Sequence, residues 1–540
     1  MDLSVYLVTD STPAILGNRD LCEVVQDALE GGVTVVQYRD KHSDTGVMID
    51  MAKRLHGITK KYNVPLIIND RVDVALAVGA EGVHLGQDDM KITEAKKLLP
   101  PNTYIGVSVR SNEEAFRAVQ DGADYVGIGT VFATPTKTDT KSIIGTAGTR
   151  DILAFLSTMP RKVGAVAIGG INLTNVQRVI YQSQAPLKSL DGAAIVSAIM
   201  AAESPREAAA SFCRLVKQIP ASATLPVPPR ENEVSLLLDQ VPDIVSLVAT
   251  KRPLCHNMIN FVVANFAANV AIAIGASPIM SGYGPEAPDL AKNGGSLLIN
   301  MGTLNNESLD NYLQALRAYN AEGNPVVFDP VGAGATDIRR KATKQLLAGG
   351  YFDLIKGNES ELIQVYGKAR GNQVGVDSGP STLNPEEKAK LVKDLARRER
   401  NIVLLTGSVD YLSDGERTLA IGNGHQFLGH ITGTGCIIGT MAASFLAVHR
   451  SDKLLAVFAS LLLLEIAAER AAMKDGVHGP GTFLPAFIDE LFTLRQWAVD
   501  WKSGDAAGGT GAGAKTSNGD ASAVDENIFR KMAKVHLINM

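Results

Sequence analysis

Thr432, Gly433, Thr434, Gly435 and Cys436 stand in a row directly before an apolar run, "IIGTMAASFLAV", that reads as a helix. Small residues at a helix start present free backbone N–H groups, which form a hole for an anion. Transferring phosphoryl oxygens would suit that hole, with the Cys436 thiol beside them. Far upstream, Gln37, Arg39 and Lys41 are spaced i, i+2, i+4, a spacing that a strand projects onto one face. Burying Arg and Lys without partners is costly, so both should meet an anion. Further polar residues close short apolar runs: Asn69 and Asp70, Asp88 and Asp89, Ser108, Thr134 with Thr136 and Lys137, Gly169 and Gly170, and Ser197. Hydroxyls, small-residue amides and cations gathered in one place describe a phosphate site. Asp70 and Asp89 among those cations suggest Mg2+, a hard ion that bridges to a polyphosphate.

The elements that must position these residues alternate regularly over the first ~215 residues, the signature of parallel βα units. Eight strands are expected in "VYLVTD", "VTVVQYRDK", "PLIINDR", "GVHLG", "YIGVSVR", "DYVGIGTVF", "VGAVAIGG" and "LDGAAIVS". Eight repeats in so short a span predict an α/β fold of the (β/α)8 TIM-barrel type over residues 1–219. The C-terminal strand ends of such a barrel converge on one face, where active sites sit. A segment rich in proline and polar residues, 220–233, reads as a linker. From 234 to 540 the chain again alternates, with strands near "SLLIN", "PVVFDP", "FDLIKGN" and "IVLLTG", and an open α/β sheet is expected. There Asp329 ends a strand before a glycine-rich loop, Asn358 and Glu361 stand three apart, and Thr406 and Gly407 end another strand. With the hole at 432–436, this set suggests ATP-dependent phosphorylation, Asn358 and Glu361 holding Mg2+ directly or through water. There is no GxxxxGK[ST] sequence, so a P-loop is not expected.

Composition limits the alternatives. Of 540 residues, 45% are hydrophobic and 20% charged, as in ordinary globular chains, and a net charge of −5 gives no reason to expect nucleic acid or an anionic membrane as partner. The four cysteines lie far apart, and a cytoplasmic enzyme with reduced thiols is the expectation. The uncharged stretch 261–280 imitates a membrane span, but Asn265 and Asn269 share one helical face and Gly275, Ser277 and Pro278 end the pattern. A buried core helix is expected there, with Asn257, Asn260, Asn265 and Asn269 as polar groups in a buried helical region. Residues 503–523 are low-complexity, and the glycines there follow no strand and open no helix, so disorder is expected. The last residues look like a helix or strand returning to the body.

"QYRDK", "IIND", "GVHLGQDD", "GVSVR", "VFATPTKT", "AIGGI" and "IVSAI" together resemble thiamine phosphate synthase, over nearly all of residues 1–215. The resemblance implies that Gln37, Arg39, Lys41, Asn69, Asp70, Asp89, Ser108 and Lys137 hold Mg2+ and the diphosphate of an aminopyrimidine. A thiazole phosphate would meet Thr134, Thr136, Gly170, Val196 and Ser197. His84, a possible base, is on those grounds structural. "GASPIM", "INMGTL", "DPVGAGAT", "KGNESE" and "ITGTGC" resemble hydroxyethylthiazole kinase of the ribokinase-like superfamily, from about residue 234 to 501. That resemblance implies that Met280 touches the thiazole, Arg339 and Thr406 the nucleotide, Gly433 the substrate hydroxyl region and Glu361 the metal. Cys436 takes the position of the catalytic base, where the superfamily usually has aspartate. Cys436, Lys137 and Ser108 are thus the candidate catalytic residues, with Mg2+ as cofactor and ATP as co-substrate. The resemblance also implies a homo-oligomer: family kinases form trimers and synthases often dimers, and a hexamer is compatible with both. Two rival readings are a silent domain that senses thiamine intermediates, and a kinase acting on another alcohol.

Overall fold

The computed structural model describes residues 1–132, 134, 143–220, 222–224, 227–367, 382–503 and 527–540. The expectations for Thr136 and Lys137, and for the low-complexity segment beyond Ser503, fall outside the described residues. The chain divides into two compact units, Met1–Ala221 and Ser222–Met540.

The first unit is a closed, all-parallel barrel in sequence order: β1 (Val5–Val8), β2 (Val35–Tyr38), β3 (Leu66–Asn69), β4 (Gly82–Leu85), β5 (Tyr104–Val109), β6 (Tyr125–Ile128), β7 (Gly164–Ile168) and β8 (Gly192–Ile195). Pairing of Tyr6 with Ala194 closes the ring. All eight expected strands are present, and helices separate them as the alternation requires. Side-chain alternation builds two cores. Val5, Leu7, Val36, Ile68 and Val107 pack outward against the helices. Tyr6, Val8, Val35, Ile67, Tyr125, Val166 and Ala194 fill the interior. Toward the C-terminal strand ends the inward positions turn polar, with Gln37, Asn69, His84 and Ser108. The barrel therefore has an apolar floor and a polar mouth.

The second unit is a nine-stranded mixed sheet between two helical layers. Its strands are β9 (Leu254–Met258), β10 (Ser277–Ile279), β11 (Ser296–Asn300), β12 (Val326–Asp329), β13 (Leu354–Gly357), β14 (Ile402–Leu405), β15 (Asp410–Ser413), β16 (Thr418–Ile421) and β17 (Val535–Leu537), in the order β10-β9-β11-β12-β13-β14-β15-β16-β17. The run from β10 to β14 is parallel, and the last three strands add antiparallel. One face packs Cys255, Leu298, Val327 and Leu404 against helices that include Thr434–Val448 and Lys453–Ala472. The other packs Met258, Ile299, Phe328 and Leu405 against helices that include Asn306–Ala321 and Pro385–Glu399. Glu233 already opens a helix, Glu233–Lys251, and its buried carboxylate accepts from the Arg417 guanidinium at 3.0 Å.

The buried helical region around 257–269 is not what forms. Residues Leu254–Met258 make a central strand, and the helix that follows is confined to Ala264–Ala273. Asn257 is buried in that strand, donating to the Cys255 carbonyl at 2.8 Å and accepting from the Thr440 hydroxyl at 2.8 Å. Asn265 and Asn269 are exposed, as are Phe261, Val262 and Ile272. A short polar-containing strand beside an apolar helix has no periodicity of its own, so the two merge in the sequence. Among the described residues no helix is long and apolar enough to cross a membrane.

Candidate active sites

The mouth of the barrel brings together the polar ends of β2 to β5. Strand β2 stops at Tyr38, so Gln37 lies within it and Arg39 and Lys41 follow it. The Gln37 amide donates to Asn69 Oδ1 at 2.7 Å. That bond leaves Asn69 Nδ2 buried with no partner among the described residues. A buried donor without an acceptor is costly, and such a group is suited to an anionic oxygen. Arg39 stands 3.7 Å from the Asp10 carboxylate, and Lys41 pairs with Asp70. The two expected cations thus meet carboxylates. Asp70 sits in the left-handed region, at φ 61°, where its N–H reaches the His84 carbonyl at 2.8 Å. Asp89 accepts from the Gly86 N–H at 2.7 Å and touches the Asp70 carboxylate; burial and that neighbour both raise its pKa. Two carboxylates forced together, with a lysine against one of them, fit a hard divalent cation completed by water and phosphate oxygens. Among the described residues no group of three or more His, Cys, Asp or Glu side chains is placed to hold a metal.

Ser108, on β5, contacts the imidazole of His84 at 2.9 Å. Burial lowers the His84 pKa to about 4, so at neutral pH the ring is uncharged. Thr134, Gly170, Val196 and Ser197 follow β6, β7 and β8 on the same end of the barrel. The Gly170 carbonyl accepts from Asn175 Nδ2 at 2.8 Å, and Val196 leads directly into the short helix Ser197–Met200.

In the second unit, hydrogen bonding within the helix Thr434–Val448 begins with Ile437 N–H to the Gly433 carbonyl at 3.0 Å. Among the described residues no side chain caps this helix, which leaves the first-turn amides of Thr434, Gly435 and Cys436 available to an anion. Gly433 is required at its start: its φ is +94°, and a Cβ there would lie 2.7 Å from Val263 Cγ2. The Thr434 hydroxyl donates to the Leu428 carbonyl at 2.7 Å and pins the approach to the turn.

Beneath the turn lies a buried polar network that the sequence reading missed. Lys356, on β13, donates to Asp329 Oδ1 at 2.9 Å and to the Gly435 carbonyl at 3.0 Å. Asn300 Nδ2 donates to Asp329 Oδ2 at 2.7 Å, and Asn260 Nδ2 reaches Asn300 Oδ1 at 3.1 Å and Cys436 Sγ at 3.7 Å. Burial opposes the Lys356 ammonium, but the facing Asp329 carboxylate together with Cys436 and Glu361 outweighs it and holds the lysine pKa above its ordinary value. Burial and the nearby Asp329 push the Cys436 thiol up to about 11. The signal for Lys356 was legible in principle: a lysine inside the apolar strand "FDLIKGN" must have an anionic partner.

The remaining expected residues are distributed around this centre. Glu361 is the third residue of a capped helix, Glu359–Tyr366: its carboxylate accepts from Asn358 N–H at 2.8 Å and Gly332 N–H at 2.9 Å. Burial and Asp329 push its pKa up to about 7. A cation there would meet oxygens already engaged by the backbone, using their second lone pairs. Arg339 donates to the carbonyls of Met301, Val331 and Gly302 at 2.7, 2.7 and 3.0 Å, so its guanidinium ties two loops together. Thr406 follows β14, its N–H on the Gly357 carbonyl at 2.9 Å, and Met280 follows β10 with its side chain exposed.

Comparison with known proteins divides the chain the same way. The Thiamine monophosphate synthase family matches residues 5–199, and the Hydroxyethylthiazole kinase family matches residues 245–496. The "Probable thiamine biosynthetic bifunctional enzyme" of Schizosaccharomyces pombe is 42% identical, over 93% of this chain and 97% of its own. The "Thiamine biosynthetic bifunctional enzyme" of Saccharomyces cerevisiae is 37% identical, over 93% of this chain and 98% of its own. The hydroxyethylthiazole kinase of Pyrococcus furiosus is 39% identical over 48% of this chain and 95% of its own. A closed barrel and a mixed α/β sheet, each matching a family with its own site, and relatives that span both, place the chain in the fungal family of bifunctional thiamine biosynthetic enzymes, with a synthase domain preceding a kinase domain.

Proposed function

We propose that the chain carries out two linked steps. The kinase unit transfers the γ-phosphoryl group of ATP to 4-methyl-5-(2-hydroxyethyl)thiazole. The barrel joins the resulting thiazole phosphate to 4-amino-2-methyl-5-hydroxymethylpyrimidine diphosphate, giving thiamine phosphate and pyrophosphate. In the coupling step the bond between the pyrimidine methylene and diphosphate oxygen breaks, its electrons leave with the diphosphate, and the thiazole nitrogen bonds to the methylene carbon. That chemistry needs stabilisation of the leaving anion and exclusion of water, not a nucleophilic side chain. Lys41, Arg39 and the unpartnered Asn69 amide support this reading, and the amide is the observation that carries it. Asp70 and Asp89 would hold Mg2+, which when bound neutralises diphosphate charge.

In the kinase step the substrate alcohol oxygen attacks the γ-phosphorus, the bond to the ADP oxygen breaks and the alcohol proton is released. Positioning and charge neutralisation dominate such transfers. The free amides of Thr434 to Cys436 face the transferring oxygens, and Lys356 holds that turn through the Gly435 carbonyl. Arg339 and Thr406 serve the nucleotide, Met280 and Gly433 the thiazole, and Glu361 a Mg2+ ion. A cytoplasmic homo-oligomer without nucleic-acid or membrane partners completes the reading.

The test is Lys137→Ala, in the "TPTK" stretch. Coupling from supplied thiazole phosphate should be abolished while ATP-dependent thiazole phosphorylation persists. Full coupling by that variant would contradict the assignment of the barrel site.

A further inference from the structure

Three buried side chains and the half-buried Ser108 form an unbroken hydrogen-bonded line from the barrel floor to the mouth. Tyr6 Oη lies 2.6 Å from Tyr125 Oη, Tyr125 Oη 3.1 Å from His84 Nδ1, and His84 Nε2 2.9 Å from Ser108 Oγ. Tyr6 and Tyr125 are each 1% exposed and His84 6%. The space is reserved in the backbone: a Cβ on Gly106 would lie 2.0 Å from Tyr125 Cζ, so only glycine at that inward position admits the phenol. Polar groups in a barrel interior otherwise filled with Val, Ile and Ala are costly unless every proton finds an acceptor.

That requirement sets the direction of the line. Among the described residues Tyr6 has a single hydrogen-bond partner, Tyr125, and each phenol carries one proton. If His84 donated from Nδ1 to Tyr125, either the Tyr6 or the Tyr125 proton would be buried with no acceptor. The one arrangement without an orphan proton has Tyr6 donating to Tyr125, Tyr125 donating to Nδ1, and Nε2–H donating to Ser108 Oγ. The hydroxyl of Ser108, which has no other hydrogen bond among the described residues, then keeps its own proton for an acceptor at the mouth.

We propose that Tyr6, Tyr125 and His84 are positioning residues that fix the Ser108 hydroxyl as a hydrogen-bond donor to phosphate oxygens of the coupling substrate. The role rests on the coupling activity proposed above. His84 is neither base nor acid in it. Its work is to hold one tautomer, and so to deny Ser108 the choice of donating inward.

The experiment has two arms. In the ligand-free full-length protein labelled with 15N-histidine, with His84→Asn to identify the signal, the neutral Nε2–H tautomer is expected at pH 7. An Nδ1–H tautomer or an imidazolium would overturn the proposal, whatever reaction the barrel catalyses. In the coupling assay, Tyr125→Phe should lower kcat by roughly tenfold, the scale of one hydrogen bond, with little change in KM. The same change placed on Ser108→Ala should lower kcat no further. An unchanged kcat in Tyr125→Phe, or an equal loss in both backgrounds, overturns the relay. Absence of coupling by the unmodified protein would instead defeat the functional reading and leave the tautomer result standing.

Discussion

His84 and Cys436 show how burial decides what a reactive side chain can do. The imidazole titrates near 4 when folded, against an ordinary 6.5. Above 6.5 neither state is protonated and nothing is lost. Below it the unfolded chain takes a proton that the folded chain refuses until about 4, so stability falls with pH through that window by up to ~1.4 kcal/mol per unit. Urea midpoints of the barrel unit should decline between pH 6.5 and 5, and His84→Gln should flatten the decline; an unaltered slope would show that other groups govern it. Cys436, pushed up to about 11, is a thiol at neutral pH. The free amides beside it do not depend on its titration. Kinase turnover of Cys436→Ser is therefore expected to stay within about tenfold of the parent, since phosphoryl transfer rests on positioning. A loss of several orders of magnitude would restore the thiol as an essential base.

Single elements of the kinase unit hang on buried polar contacts. Lys356 joins β13 to Asp329 on β12 and to the turn at Gly435. Lys356→Met would leave the Asp329 carboxylate buried and uncompensated, a loss of roughly 3–5 kcal/mol. The expected result is a lower melting temperature for the kinase unit and no thiazole phosphorylation, with coupling from supplied thiazole phosphate intact. The C-terminal tail is a second such element. Phe529 is fully buried and packs against Trp497 at 5.8 Å between ring centroids, and β17 pairs with β16. Ending the chain after Ser503 strips both, at a cost of at least the roughly 3–5 kcal/mol of a lost core phenylalanine. Thermal denaturation of the shortened protein would show it.

The barrel strands were legible because each is a short apolar run whose mouth end is polar, and the same polarity marked Gln37, Asn69, Asp70 and Ser108. The tail was legible as a helix or strand returning to the body, but its partner was not, since Val535–Leu537 pairs with an edge, β16, more than a hundred residues away in sequence. Strand β9 merged with the helix after it for want of a turn signal, and nothing local sets Tyr6 and Tyr125 apart from other strand residues. What no local pattern could reveal is pairing: that Lys356 meets Asp329, and that Tyr125 meets His84, are facts of topology.

At the scale of the whole molecule, two units with separate cores carry two sites whose proposed chemistry is consecutive. The product of one is the substrate of the other. Full-length protein supplied with hydroxyethylthiazole, ATP, the pyrimidine diphosphate and Mg2+ tests this directly. The account predicts thiamine phosphate and pyrophosphate, with synthesis halted when ATP is withheld and restored by added thiazole phosphate. No thiamine phosphate, even with thiazole phosphate supplied, would contradict it.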